Sequence, residues 1–179
     1  RLMTGDDYIE STQVLLGKNH WLFYKTELDG NPLLDYKGTN HFTEEELGAM
    51  GDNLTAMRDY FEGEKGIRFL VMGLPNKENL YAEYMPDTIP KLVEQSRADQ
   101  VAEYLWNHTD IDYIYPKEEL GKEKETNQVY YTTDTHWNQI GAFVGLQAFF
   151  SRAYGTWAAT DSVEFLVTDS SGAVVGPNN

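Results

Sequence analysis

The chain contains no cysteine, which removes disulfides, thiolate zinc sites and a cysteine nucleophile together. That absence leaves the compartment open, because secreted bacterial proteins often lack cysteine too. Basic residues are scarce. Against 29 Asp and Glu there are 14 Lys and Arg, a net charge of −15, which repels a phosphate backbone or an anionic membrane surface and argues against nucleic acid as a partner. No apolar run approaches the ~18 residues of a membrane span, and no basic-then-apolar leader stands at the beginning. The chain opens at Arg1 rather than a methionine and closes on the polar "GAVVGPNN", which reads as a piece of something longer. What is present suffices for a core: 179 residues, 41% hydrophobic and 13% aromatic, suit one ordinary domain. There is no internal repeat and no low-complexity segment.

Along the chain, "QVLLGKNHWLFY" places two short apolar runs around a polar turn, the pattern of a hairpin. The following "DGNPLLDYKGTN" is rich in turn residues and predicts irregular backbone. Thr43 with Glu46 forms a capping box, and Leu47, Met50, Leu54, Met57 and Phe61 follow at helical spacing until "EGEKG". "IRFLVMGL", Ile67 to Leu74, predicts a buried strand ended by Pro75. Ser96 with Asp99 makes a second capping box before an apolar face of Ala98, Val101, Ala102 and Leu105. "IDYIYP" is a shorter strand, Lys117 to Gln128 an exposed, mobile loop, Asn138 to Tyr154 a helix stopped by Gly155, and "VEFLVTD" a last strand. Alternating strands and helices predict a three-layer α/β/α domain with a mostly parallel central sheet.

The stretch "YYTTDTHWNQIGAF" from Tyr130 carries the sharpest chemistry. A histidine acting as general base needs its second ring nitrogen held by an acceptor, and a carboxylate fixes the tautomer and stabilises the imidazolium. Asp134 and His136 can meet in a non-helical turn, whereas in a regular strand they would share a face at ~6 to 7 Å. The same letters also suit a plain cap, with Asp134 or Asn138 opening the helix and His136 an ordinary surface residue. A metal site is a further reading, since Asp-x-His offers two ligands. Yet none of His20, His41 and His108 stands at a strand end beside an acid, so no metal is expected. Lys77 and Asn76 follow the strongest strand, where α/β folds place ligands, although an exposed loop lysine explains Lys77 equally well. Trp137 reads first as packing and second as a sugar platform. With Tyr131, these three form the candidate substrate-contacting set. Trp21, Phe23, Tyr81 and Tyr84 read as core. Ser170 follows an apolar run, but Thr168 stands where a nucleophile turn favours glycine, and "SSG" suits a hairpin turn as well.

Four pieces in order, "GKNHWLFY", "GIRFLVMGLPNKENLYAEYMP", "SRADQVAEYL" and "YYTTDTHWNQIGAF", resemble the SGNH-hydrolase-like domain of the alginate O-acetyltransferases and the related bacterial DHHW proteins. The likeness runs from about Val14 to Phe150. It implies a flavodoxin-like α/β/α fold over one domain, residues 1–179, incomplete at its C-terminal end. It further implies a Ser-His-Asp triad in permuted order, with Asp134 and His136 as acid and base and the serine beyond residue 179. Also implied are O-acetyl transfer or acetyl-ester hydrolysis with no cofactor, a polysaccharide substrate, a membrane acetyl-donor system as partner, and an extracytoplasmic setting at the bacterial cell envelope. A non-catalytic carbohydrate-binding or scaffolding protein of the same fold is the competing expectation, with the Asp-His pair then serving structure beneath its loop.

Overall fold

The computed structural model describes residues 13–25 and 30–155. The expected strand over 163–169 and Ser170 lie outside the described residues. The fold is α/β, with helices predominant and strands short. Strands β1 (Val14–Leu16) and β2 (Leu22–Tyr24) pair antiparallel with Leu15 opposite Phe23, forming the expected hairpin. Its turn brings Asn19 and His20 to φ of 52° and 62°. A Cβ on Gly17 would lie 2.4 Å from the Tyr84 carbonyl oxygen, so only glycine lets the hairpin dock there.

Two segments expected to be irregular are helical. Helix α1 (Pro32–Lys37) is opened by Asn31, whose side chain accepts the Leu34 N–H at 3.2 Å, and is closed by Gly38 at φ 70°. The residues that read as turn signals are its start and stop signals. Helix α5 (Lys117–Lys124) replaces the expected mobile loop. Its one apolar side chain, Leu120, is fully buried, and its lysines find fixed acids, Lys117 at 2.7 Å from Asp99 and Lys124 at 2.8 Å from Glu83. A single buried leucine among charges leaves too little periodicity for a sequence to announce a helix.

Helix α2 (Glu44–Arg58) begins with the expected Thr43–Glu46 capping box and buries Leu47, although Met57 is exposed. It passes through one π-helical stretch, Asp59–Glu64, and the chain turns at Gly66 with φ 65°. The strand expected over residues 67–74 contracts to β3 (Val71–Met72), with Ile67 and Leu74 exposed at its flanks. Strand β3 runs parallel to β4 (Tyr113–Ile114), with Val71 opposite Tyr113. This pair is the parallel sheet among the described residues. The short helix α3 (Lys77–Leu80) follows β3, and α4 (Arg97–His108), with its Ser96–Asp99 capping box, connects toward β4 and buries Ala102 and Leu105. Helix α6 (Gln139–Tyr154) ends at Gly155, as the sequence predicts.

The core is aromatic at its centre. Trp21 stacks on Tyr81 at 4.4 Å and on Tyr84 at 4.6 Å between ring centroids, and Phe23, Leu120, Val129, Tyr130 and Ile140 join the same cluster. Stacked rings of this kind add ~0.5–1.5 kcal/mol per pair beyond area burial. The cluster therefore locks the hairpin, α3, α5 and the segment leading into α6 against one another, and that segment carries the candidate site.

Candidate active site

The site is a tight loop between Val129 and Asn138. Tyr130 and Trp137 form an isolated antiparallel bridge, the Asn138 N–H donates to Val129 O at 3.0 Å, and the Tyr131 N–H donates to His136 O at 3.1 Å. The tip is held from outside as well, because the Leu22 N–H of β2 donates to Thr132 O at 2.9 Å. At the loop's start the Tyr81 hydroxyl accepts the Val129 N–H at 2.9 Å, and the Tyr130 hydroxyl donates to Pro75 O at 2.5 Å. Burial raises the pKa of both phenols above the ordinary tyrosine value, so both stay neutral hydrogen-bonding groups.

The cap and the acid are different residues. Asn138 Oδ1 accepts the N–H groups of Ile140 and Gly141, each at 3.0 Å, and so supplies the N-cap of α6. Asp134 is thereby released for another task. Its Oδ1 accepts both the backbone N–H of His136 and the Nδ1–H of the ring, each at 2.7 Å. An ionised carboxylate only accepts, so this contact places the neutral ring's proton on Nδ1 and leaves Nε2 as the proton acceptor. The backbone N–H of His136 and then its ring hold the Asp134 carboxyl below the usual carboxylate range. Side-chain exposure is 78% for His136 and 56% for Asp134, so the pair is presented to the outside rather than folded beneath the loop. Nε2 has no hydrogen-bond partner among the described residues.

Next to the pair is a cavity of about 240 Å³ whose wall includes Pro32, Pro75, Asn76, Lys77, Glu78, Tyr130, His136 and Trp137. The structure thus brings Asp134, His136, Trp137, Asn76 and Lys77 together, and leaves Tyr131, whose backbone N–H bonds His136 O, outside the cavity wall. Tyr131 is exposed and its hydroxyl donates to Gln139 Oε1 at 2.9 Å. Trp137 is half-buried and lies on a flat notch of α6, where a Cβ on Gly145 would stand 2.4 Å from its ring. It packs and borders the cavity at once.

Lys77 is not the exposed loop lysine that one reading expects. It is 2% exposed, and its ammonium donates to Leu22 O at 2.7 Å, Thr132 O at 2.8 Å and Asp134 O at 2.9 Å. Three hydrogens meet three carbonyls, so no donor remains to offer a ligand. Burial lowers its pKa from 10.5 to about 8, opposed by the charges of Glu78 and Asp134. Asn76 donates to Asp35 Oδ2 at 2.9 Å.

Sequence reasoning passed over two buried acids here. Glu78 accepts the Tyr24 N–H at 3.1 Å, and burial raises its pKa. Asp35 accepts from Asn76, from Asn79 at 2.7 Å and from the Arg97 N–H at 2.8 Å, tying α1 to α3 and α4. The signal available was "NKEN" directly after a strand-ending proline, four polar residues where α/β folds turn inward. Among the described residues, no group of three or more His, Asp or Glu gathers as a set of metal ligands.

Residues 14–161 match the family described as SGNH hydrolase-like domain, acetyltransferase AlgX. Among solved structures the chain is similar to the O-acetyltransferase domain of Pseudomonas putida AlgJ, with 21% identity and a TM-score of 0.55 over 82% of this chain and 50% of that one. It is also similar to Bacillus cereus PatB1 bearing a sulfonyl adduct, with 20% identity and a TM-score of 0.52 over 85% of this chain and 48% of that one. At these identities the likeness is one of fold, and the chain spans about half the length of each. No curated protein matches. The family match covers both the hairpin and the Asp134–His136 loop, and the chain belongs to the SGNH hydrolase-like domains of the AlgX acetyltransferase family.

Proposed function

We propose that the protein is an O-acetyltransferase of the cell envelope acting on a polysaccharide, and that this chain supplies the acid–base half of its Ser-His-Asp triad. The observation that carries the reading is the 2.7 Å contact from His136 Nδ1 to Asp134 Oδ1, on a ring whose other face is open beside a cavity. A purely structural pair has no need of an exposed ring, whereas a general base must reach a hydroxyl in the cleft.

In this reaction a serine beyond residue 179 loses its proton to His136 Nε2 as its oxygen attacks the carbonyl carbon of an acetyl ester. The ester's C–O bond breaks, the donor alcohol leaves with the proton from the imidazolium, and the acetyl group stays on the serine. A sugar hydroxyl then gives its proton to Nε2 as its oxygen attacks the acetyl carbon, the bond from that carbon to the serine oxygen breaks, and the imidazolium returns the proton to the serine. Asp134 orients the ring and stabilises its positive form in both halves. Asn76 and Trp137 in the cavity wall, and Tyr131 on the outer side of the loop, are assigned to substrate contact, while Lys77 shapes the wall. The acetyl donor is assigned to a membrane system, and the setting to the extracytoplasmic side.

The test is p-nitrophenyl acetate turnover by the intact protein, with acetyl transfer to an oligosaccharide followed by mass spectrometry. Removing a general base lowers turnover by about 10² to 10⁴-fold, the drop expected for His136→Ala, with Asp134→Asn also impaired. Wild-type rates in both variants remove the assignment.

A further inference from the structure

The Asp134–His136 pair is held by little of its own. Both side chains are mostly exposed, they are separated by one residue, and the bond between them is short. Such a contact keeps its geometry only if the backbone beneath it is fixed, because exposed side chains have water as an alternative partner. The loop's ladder contacts hold Tyr130, Tyr131 and Thr132 on its first side and His136 and Trp137 on its second. At Asp134 itself the peptide is held by a different group, the ammonium of Lys77.

We propose that Lys77 is the positioning residue of the acid–base pair, acting through the backbone carbonyl of Asp134. This rests on the reading of Asp134 and His136 given above. Lys77 opens α3, and its ammonium reaches three carbonyls at once, Leu22 on β2 and Thr132 and Asp134 in the loop. Thr132 O is shared, since it also accepts the Leu22 N–H, so one cation joins both sides of that contact. The rings of Trp21 and Phe23 lie beneath the ammonium, with centroids at 4.9 and 5.2 Å. Aromatic faces and carbonyl oxygens are both places where a buried cation is stabilised without a carboxylate. The result is a three-point clamp from the end of β3 to the tip of the site loop.

Residue type matters here. Methionine matches the stem but leaves three buried carbonyls with a lost partner. Glutamine restores two N–H donors at most, in a plane. Arginine carries a larger planar head that does not fit three converging oxygens. Lysine is the side chain whose hydrogens match this trigonal set of acceptors. Displacing a catalytic group by about 1 Å can lower turnover by about a hundredfold, so a group that touches no substrate can still govern rate.

The experiment has two arms in the intact protein. In the first, [15N]histidine labelling reports which ring nitrogen of His136 bears the proton, with the signal assigned by its loss in His136→Gln. Wild type should show the Nδ1–H form, and folded Lys77→Met should shift toward the Nε2–H form that free imidazole favours. In the second, p-nitrophenyl acetate kinetics should show kcat falling about tenfold to a hundredfold in Lys77→Met with KM within about twofold, and a smaller fall in Lys77→Gln. An unchanged tautomer together with an unchanged kcat in folded Lys77→Met overturns the proposal. A moved tautomer in a protein with no wild-type turnover sustains the clamp while refuting the acetyl-transfer reading. If Lys77→Met does not fold, the wild-type ammonium decides: slow hydrogen exchange at Lys77 Nζ supports the clamp, and exchange as fast as a surface lysine's overturns it.

Discussion

Replacing Gly145 by alanine sets two physical effects of opposite sign against each other. Gly145 lies inside α6, where alanine is favoured over glycine by about 0.8–1 kcal/mol of helix propensity. On propensity alone the substitution stabilises. A Cβ at that position, however, would stand 2.4 Å from Cζ3 and 2.6 Å from Cη2 of Trp137, with Met72 Cε at 3.4 Å. Ordinary carbon contacts lie at about 3.5–4.0 Å, so the overlap is about 1 Å. The indole cannot simply step away, because the backbone of Trp137 is bridged to Tyr130. Overpacking of this size costs about 1–3 kcal/mol, which leaves a net loss centred near 1 kcal/mol. Gly121 in α5 is the control, since nothing lies within 4 Å of its Cβ position, and Gly121→Ala should stabilise by about 0.5–1 kcal/mol. Urea unfolding at constant m-value measures both, and the midpoints should move in opposite directions. Turnover of p-nitrophenyl acetate should fall in Gly145→Ala and hold in Gly121→Ala, because a displaced Trp137 carries His136 with it. A Gly145→Ala protein as stabilised as Gly121→Ala would refute the packing account of Trp137.

Two further outcomes follow from buried and half-buried acids. Asp35→Ala strands three N–H donors, those of Asn76, Asn79 and Arg97, and should destabilise the protein by about 3 kcal/mol in urea unfolding; a loss under about 1 kcal/mol would mean that water replaces the carboxylate. For Asp99, burial raises the pKa, but hydrogen bonds from Lys117 and Ser96 outweigh it and leave the folded value below 3.8. A depressed folded value means stability that is present above the unfolded pKa and lost as pH falls through the folded one. Acid unfolding followed by circular dichroism should therefore begin at a higher pH in Lys117→Met than in wild type, and coincident curves would refute the pairing.

Much of the local structure was legible. Both capping boxes, the hairpin around Gly17, the start of α6 at Asn138 and its end at Gly155 depend on residues within three or four positions of one another, and short-range chemistry writes them plainly. The Asp134–His136 contact belongs to the same class, since both partners lie in one turn. Its ambiguity was resolved once Asn138 proved to be the cap. The loop-like readings of α1 and α5 failed for one physical reason. Each is a short helix whose stability comes from partners elsewhere, Asp35 reaching Asn76, Asn79 and Arg97, and Leu120 filling the aromatic core.

By itself, then, the sequence determined where α2, α4 and α6 begin and where α6 ends, which residues can form an acid–base pair, and, through the order of its motifs, the family. The tertiary structure decided what surrounds that pair. Lys77 looks like any polar residue after a strand, and only the arrival of carbonyls 55 and 57 positions away makes it a buried clamp. Trp137 becomes a packing residue only because Gly145 offers a flat face. The exposure of His136 beside a cavity is likewise a property of the assembled fold. Hydrogen bonds between neighbours are encoded in adjacent letters, whereas burial depends on which distant segments meet, and no local pattern carries that information.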